Sequence, residues 1–222
     1  GGGVSGIILA GGDSRRMAPP PTASAEGRSA RSAGPFRPAV GGGVGRNKAF
    51  LPWAGTTLLE HVIETLRPAV DEVIVSVRDA SAFRHLEIRV VEDLVPGAHA
   101  LGGLYTGLKL ASHERCFVCA CDAPFLNPRL IDFLIEQSGG YDLVIPRTSQ
   151  GLHPLHAVYA KSALRAIEEQ LRSRQWDLHT LVSRLHAKCV ELEEELSFFN
   201  VNTPQALAQA IAIRQSVEWV KW

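Results

Sequence analysis

The sequence predicts a single doubly wound α/β domain, a mostly parallel sheet with helices on both faces. Three observations carry this. Short apolar runs alternate with helical patterns along the chain. The runs are continuous rather than alternating with polar residues, as in strands buried on both faces. Cap signatures open several of the helices. At 222 residues, 45% hydrophobic and 21% charged, the chain holds enough apolar material for one sizeable core, expected over residues 4–216.

Residues 4–10 are a β-branched apolar run closed by Gly11-Gly12 and read as a buried strand. Thr57-Leu58-Leu59-Glu60 has the capping-box pattern, so Thr57 opens a helix to about Leu66, with Pro68 at its end. Residues 73–77 and 89–91 read as the second and third buried strands. Gly102-Gly103 lead into a helical pattern to about Ser112, and residues 117–120 form another strand. Asn127-Pro128 places a cap and a first-turn proline before a helix to about Gln137. Residues 143–146 and 156–160 read as strands, 162–172 and 177–185 as helices, 188–191 as a short strand. Thr203-Pro204 repeats the cap-plus-proline signature before the last helix.

Residues 18–45 fit none of this. They hold five Pro and six Gly in 28 residues without periodicity, and read as a flexible insertion, a mobile lid being the sharper alternative.

Charge and cysteines bound the function. Lys plus Arg equals Asp plus Glu at 23 each, so no broad basic field for nucleic acid is expected. No run of about 18 apolar residues predicts a membrane span. The opening Gly1-Gly2-Gly3-Val4-Ser5-Gly6 lacks the basic and apolar stretches of a signal peptide. Cys116, Cys119 and Cys121 fall within six positions and Cys189 stands alone. With strand composition around the three and no second Cys or His pair at zinc spacing, buried free thiols are favoured over a metal site. A reducing compartment, the cytoplasm, is expected.

In a parallel sheet the ligand lies outside the carboxyl ends of the strands. The loop after the first strand, Leu9-Ala10-Gly11-Gly12-Asp13-Ser14-Arg15-Arg16-Met17, offers close backbone approach and successive N–H groups for an anion. Arg15 and Arg16 add planar donors suited to phosphate. The loop is neither G-x-G-x-x-G nor a Walker A sequence. Gly45-Arg46-Asn47-Lys48-Ala49-Phe50-Leu51 carries one lysine in an apolar setting, suited to neutralising phosphate charge. Val90-Val91-Glu92-Asp93 ends a strand in an acid. Cys121-Asp122-Ala123-Pro124-Phe125 places Asp122 just past a buried strand, where a hard carboxylate suits Mg²⁺ or serves only as a turn residue. His153-Pro154 precedes a strand, as a structural histidine or a substrate contact. In Phe199-Asn200-Val201-Asn202-Thr203-Pro204 the two asparagines alternate on one face of a short strand, as contacts or as turn and cap residues.

The ordered patterns L-A-G-G-x-S-x-R-M, G-x-N-K-A-x-L, C-D-x-P-F and N-V-N-T-P resemble the nucleotidyltransferase family that includes molybdenum cofactor guanylyltransferase. The resemblance implies a Rossmann-like nucleotidyltransferase fold and transfer of a nucleoside monophosphate from GTP to the phosphate of molybdopterin, with release of pyrophosphate. It implies nucleotide contacts from Leu9, Ala10, Gly11, Gly12, Lys48, Asp93 and Asp122. Lys48, Arg16 and Asp122 would be catalytic, with Mg²⁺ on Asp122. Asn200, Asn202 and His153 would lie on the acceptor side. GTP or CTP, molybdopterin and molybdoenzyme maturation proteins are the implied partners, with no nucleic acid and no membrane. Two features depart from the family pattern. Thirty residues separate Met17 from Lys48, where the family has a few. Ser76 stands where guanylyl members often have an asparagine after the second strand, and one hydroxyl cannot copy a carboxamide's donor and acceptor. The alternatives are therefore a cytidylyltransferase using CTP, a transferase for another small phosphate acceptor, and a nucleotide-binding module without catalysis.

Overall fold

Ile7 and Ile8 are neighbours on the first strand and both are fully buried. Successive side chains of a strand point to opposite faces, so this strand must be covered on both sides. The computed structural model, which describes residues 2–11 and 48–216, shows how. Gly12, Arg16 and the 18–45 insertion lie outside the described residues.

Strands β1 (Val4–Leu9), β4 (Glu72–Val77), β5 (Arg89–Glu92), β6 (Arg115–Ala120), β7 (Leu143–Thr148), β9 (His156–Ala160) and β10 (Ala187–Glu191) form one sheet in the order β10-β7-β9-β6-β1-β4-β5, with β8 (Gly151–Leu152) on β7. β1 pairs in parallel with β4 and β6, β4 with β5, and β10 with β7. β9 runs antiparallel to both β6 and β7. The sheet is therefore mostly parallel, and its order reverses direction at β1, between β4 and β6. Because β9 is reversed, its beginning lies at the edge where the parallel strands end.

Helices α1 (Leu58–Leu66) and α3 (Pro128–Glu136) cover one face, packing Leu59, Val62, Ile131 and Leu134 on Ile8, Val75, Phe117 and Cys119. Helices α2 (His99–Leu110), α4 (Leu164–Ser173) and α5 (Leu178–Arg184) cover the other, packing Leu104, Leu108, Ile167 and Leu181 with Ile7, Ile74, Cys116 and Val118. Cys116 and Cys119 therefore lie on opposite faces. Burial pushes the Cys116 thiol up to about 12, and Cys121, buried beside Asp122, also to about 12. Cys189 is exposed.

Several expected elements stand almost as read. Asn127 caps α3 by accepting from Arg129 N–H at 3.0 Å, and Thr203 caps α6 (Pro204–Ser216) by accepting from Ala206 N–H at 3.0 Å. Others differ. At Thr57 only half of the capping box forms. Thr57 Oγ1 accepts from Glu60 N–H at 3.2 Å, but the Glu60 carboxylate accepts the Thr56 hydroxyl instead of reaching back to the cap. Gly102 and Gly103 do not precede a helix; they sit inside α2. The reason is close packing: a Cβ on Gly102 would meet Val95 O at 2.8 Å, and one on Gly107 would meet Ile7 Cγ2 at 2.5 Å. Asn200 and Asn202 are not on a strand but in irregular chain ahead of α6. The hairpin of β2 (Pro52–Trp53) and β3 (Thr56–Thr57) was not anticipated. Among the described residues no helix is long and apolar enough to cross a membrane.

Candidate active site

Four strand ends are stitched together by backbone bonds. Ala10 N–H donates to Ser76 O at 2.9 Å, Cys121 N–H to Leu9 O at 3.1 Å, and Asp93 N–H to Val77 O at 2.8 Å. These bonds bring Gly11, Arg78, Asp93 and Asp122 to one edge. Gly11 runs close against the end of β4, since a Cβ there would lie 3.1 Å from Arg78 N. A cavity of about 730 Å³ spans this edge, within the range of small-molecule sites.

At the centre of the cavity lie Lys48 and Asp122. Lys48 begins a short helical turn anchored by Ala49, which is fully buried, and by Phe50, whose ring sits 5.0 Å from that of Phe83. Its ammonium lies 3.4 Å from Asp122 Oδ2 and donates to Asn202 Oδ1 at 2.8 Å. Asp122 follows β6, its carbonyl accepting from Val201 N–H at 2.8 Å. Two residues on, Pro124 O meets His61 Nε2 at 2.7 Å and Phe125 packs edge-on against Trp53. The C-D-x-P-F segment is thus fixed by its apolar end while its carboxylate faces the cavity. Burial pushes the Asp122 carboxyl above its ordinary range, and Lys48 offsets this only in part.

A single buried carboxylate of this kind fits a divalent cation shared with phosphate. Mg²⁺ keeps several waters and needs only one or two protein carboxylates when a nucleotide supplies the rest. Among the described residues no group of three or more His, Cys, Asp or Glu could hold a metal by itself, so the nucleotide would have to complete such a site.

The other expected residues divide between the two ends of the cavity. Toward β5, Asp93 lines it, with Oδ1 accepting from Val95 N–H at 2.9 Å. Beside it are Gly97 and His99, both with left-handed backbone (φ 87° and 56°), at the start of α2. Toward β7 lie His153, Asn200 and Asn202. His153 Nε2 is 2.7 Å from Thr148 Oγ1 and its ring stacks on Phe198 at 4.2 Å; burial lowers its pKa from the ordinary imidazole value. Leu9, Ala10 and Gly11 line the middle. Leu9 O and Ala10 N–H are already bonded within the sheet, so Gly11 offers the more open backbone.

Among the cavity residues the sequence reading did not assign to the site are Arg78, Phe198 and His156. His156 opens the reversed β9 and is buried, its Nε2 without a hydrogen-bond partner among the described residues. Burial and neighbouring His153 lower its pKa to about 3. Ser76 lies within β4, inside the strand read at 73–77, 2% exposed, its hydroxyl donating to Gly103 O at 3.1 Å. It therefore does not occupy the position after the strand at which the family resemblance set it. The residue after the strand is Arg78.

A sheet of this order, with a lysine and a carboxylate at its reversal point and glycines against the strand ends, is the architecture of nucleotide-handling α/β enzymes. Comparison with known proteins narrows the class. Residues 6–189 match the MobA-like NTP transferase domain. "Probable molybdenum cofactor guanylyltransferase" of Pelotomaculum thermopropionicum is 35% identical over 93% of this chain and 91% of its own length. Molybdenum cofactor guanylyltransferase of Desulfosudis oleivorans is 30% identical over 94% and 95%. The crystal structure of molybdopterin-guanine dinucleotide biosynthesis protein A from Archaeoglobus fulgidus shares the fold, with a TM-score of 0.75 at 24% identity over 96% of this chain and all of that one. The chain belongs to the MobA-like NTP transferase family.

Proposed function

We propose that this protein is a nucleotidyltransferase that moves GMP from GTP to the phosphate of molybdopterin, making a guanine dinucleotide form of the cofactor. The observation that carries the reading is the Lys48–Asp122–Asn202 cluster at the reversal point of the sheet, in a chain whose relatives are named for this activity. A phosphate oxygen of the acceptor forms the new bond to the α-phosphorus. The α–β bridging bond breaks, and its electron pair leaves with pyrophosphate. The acceptor phosphate is already an anion, so no general base is required. Lys48 neutralises charge growing on the phosphates, Asn202 holds the ammonium in place, and Gly11 admits the nucleotide close to the sheet. Arg16 and Gly12 would complete the phosphate contacts. Asp122 would hold Mg²⁺, which when bound supplies charge neutralisation at the α-phosphate. His153 and Asn200 would face the acceptor, and Asp93 the nucleoside. The free cysteines suit a reducing compartment, the cytoplasm, where molybdoenzyme maturation proteins would take up the product.

The test is pyrophosphate release with GTP or CTP, with and without molybdopterin. Release that requires both GTP and molybdopterin is the expected result. Release with CTP in place of GTP, or with neither, overturns the reading.

A further inference from the structure

We infer that Arg78 is the residue that reads the base, its guanidinium donating two parallel hydrogen bonds to O6 and N7 of guanine. The inference rests on the proposed use of a nucleoside triphosphate and deepens it.

Placement comes first. The phosphate-facing pair, Lys48 and Asp122, stands at the end of β6. Arg78 stands at the end of β4, two strands away across β1, a spacing of about 10 Å. Gly11 keeps the ground between them open, because any side chain there would press on the Arg78 backbone. A nucleotide whose α-phosphate lies at Lys48 and Asp122 can therefore extend over Gly11 toward Arg78. In the other direction the cavity runs to His153 and Phe198, the end proposed for the acceptor.

Chemistry comes second. Arg78 lines the cavity, is exposed, and forms no hydrogen bond or ion pair among the described residues. Its donors are available to a ligand. Ser76, the nearer polar side chain on the same strand, is buried and already bonded to Gly103 O. The fork of an arginine matches the two acceptors on one edge of guanine. Adenine places an amino donor beside N7, and cytosine has no N7. The same side chain therefore accepts guanine and penalises the other two bases.

The experiment measures binding by calorimetry of the full chain with Mg²⁺ and GTP, 7-deaza-GTP or CTP, in wild type, Arg78→Ala and Arg78→Lys. Because Arg78 is exposed and unpaired among the described residues, both variants are expected to fold. Wild type should bind GTP more tightly than CTP and lose about tenfold on 7-deaza-GTP. Arg78→Ala should lose about 10- to 100-fold on GTP, change little on CTP, and no longer distinguish 7-deaza-GTP from GTP. Arg78→Lys keeps the charge without the fork and should also fail to distinguish them. If Arg78→Ala binds GTP as wild type does, or keeps the 7-deaza penalty, the assignment of Arg78 is wrong while the guanylyl reading stands. If wild type favours CTP, the guanylyl reading fails and this inference falls with it.

Discussion

Two carboxylates at opposite edges of the sheet, Glu72 and Asp122, are both mostly buried, with side chains 19% and 9% exposed. They are driven in opposite directions. Burial pushes Glu72 up, but hydrogen bonds from Ser5, Ser112 and Arg89 outweigh it and bring it down to about 2. Four donors surround it: Ser5 Oγ at 2.7 Å, Ser112 N–H and Oγ at 3.0 Å each, and Arg89 at 3.1 Å. Asp122 has one ammonium at 3.4 Å, and burial prevails. The amino edge of the sheet is saturated with its own partners, whereas the carboxyl edge keeps its charge short of them. What distinguishes the two edges is how many lone pairs the protein itself fills, and the deficit marks where a ligand is to bind.

Each substitution below tests that contrast. Asp122→Asn has the largest expected effect. It removes the cation-facing charge and should lower turnover by roughly 10³-fold, while the melting temperature stays level or rises, because a carboxylate held above its ordinary pKa opposes folding at neutral pH. A large loss of stability in this variant would mean that Asp122 is a structural pin like Glu72. Glu72→Gln should do the reverse, costing about 2–3 kcal/mol in denaturant unfolding and leaving turnover unchanged. Glu72 is depressed in the folded state, so its contribution is full above an unfolded pKa of about 4.5 and is lost as pH falls toward about 2. Wild type should therefore lose stability between about pH 5 and 2, and Glu72→Gln should flatten that limb. Asn202→Ala comes last. Freeing Lys48 on one side should reduce kcat about tenfold, equivalent to about 1.4 kcal/mol, with little change in melting temperature. A change in melting temperature without a change in kcat would make Asn202 a folding residue only.

The alternation of strands and helices was readable because both faces of the sheet are covered, so strands such as Phe117 and its neighbours appear as unbroken apolar runs. The direction of β9 was not readable, since an apolar run looks the same either way along. The β2–β3 hairpin escaped because each strand is two residues long and its turn places Ala54 at φ 47°, where a pattern search looks for Asn or Asp. Gly102 and Gly103 were taken for punctuation, although both lie inside α2 and Gly102 lets the helix approach the loop at Val95. At the site, Lys48 and Asp122 were recognisable by type and setting. Their meeting, across 74 positions, belongs to the fold. Arg78 was passed over because attention fell on Ser76, inside the strand read at 73–77, where the side chain turns inward.

The bond from Lys48 to Asn202 joins residues 154 positions apart. During synthesis Asp122 leaves the ribosome eighty residues ahead of Asn202, a lag of about 4–16 s at 5–20 residues per second. For that interval the growing chain holds its acid and its lysine without the amide that fixes the lysine or the Val201 bond that ties down the Asp122 backbone. Among the segments that build the site this one emerges last, so the ability to react is gained only once residue 202 has been made.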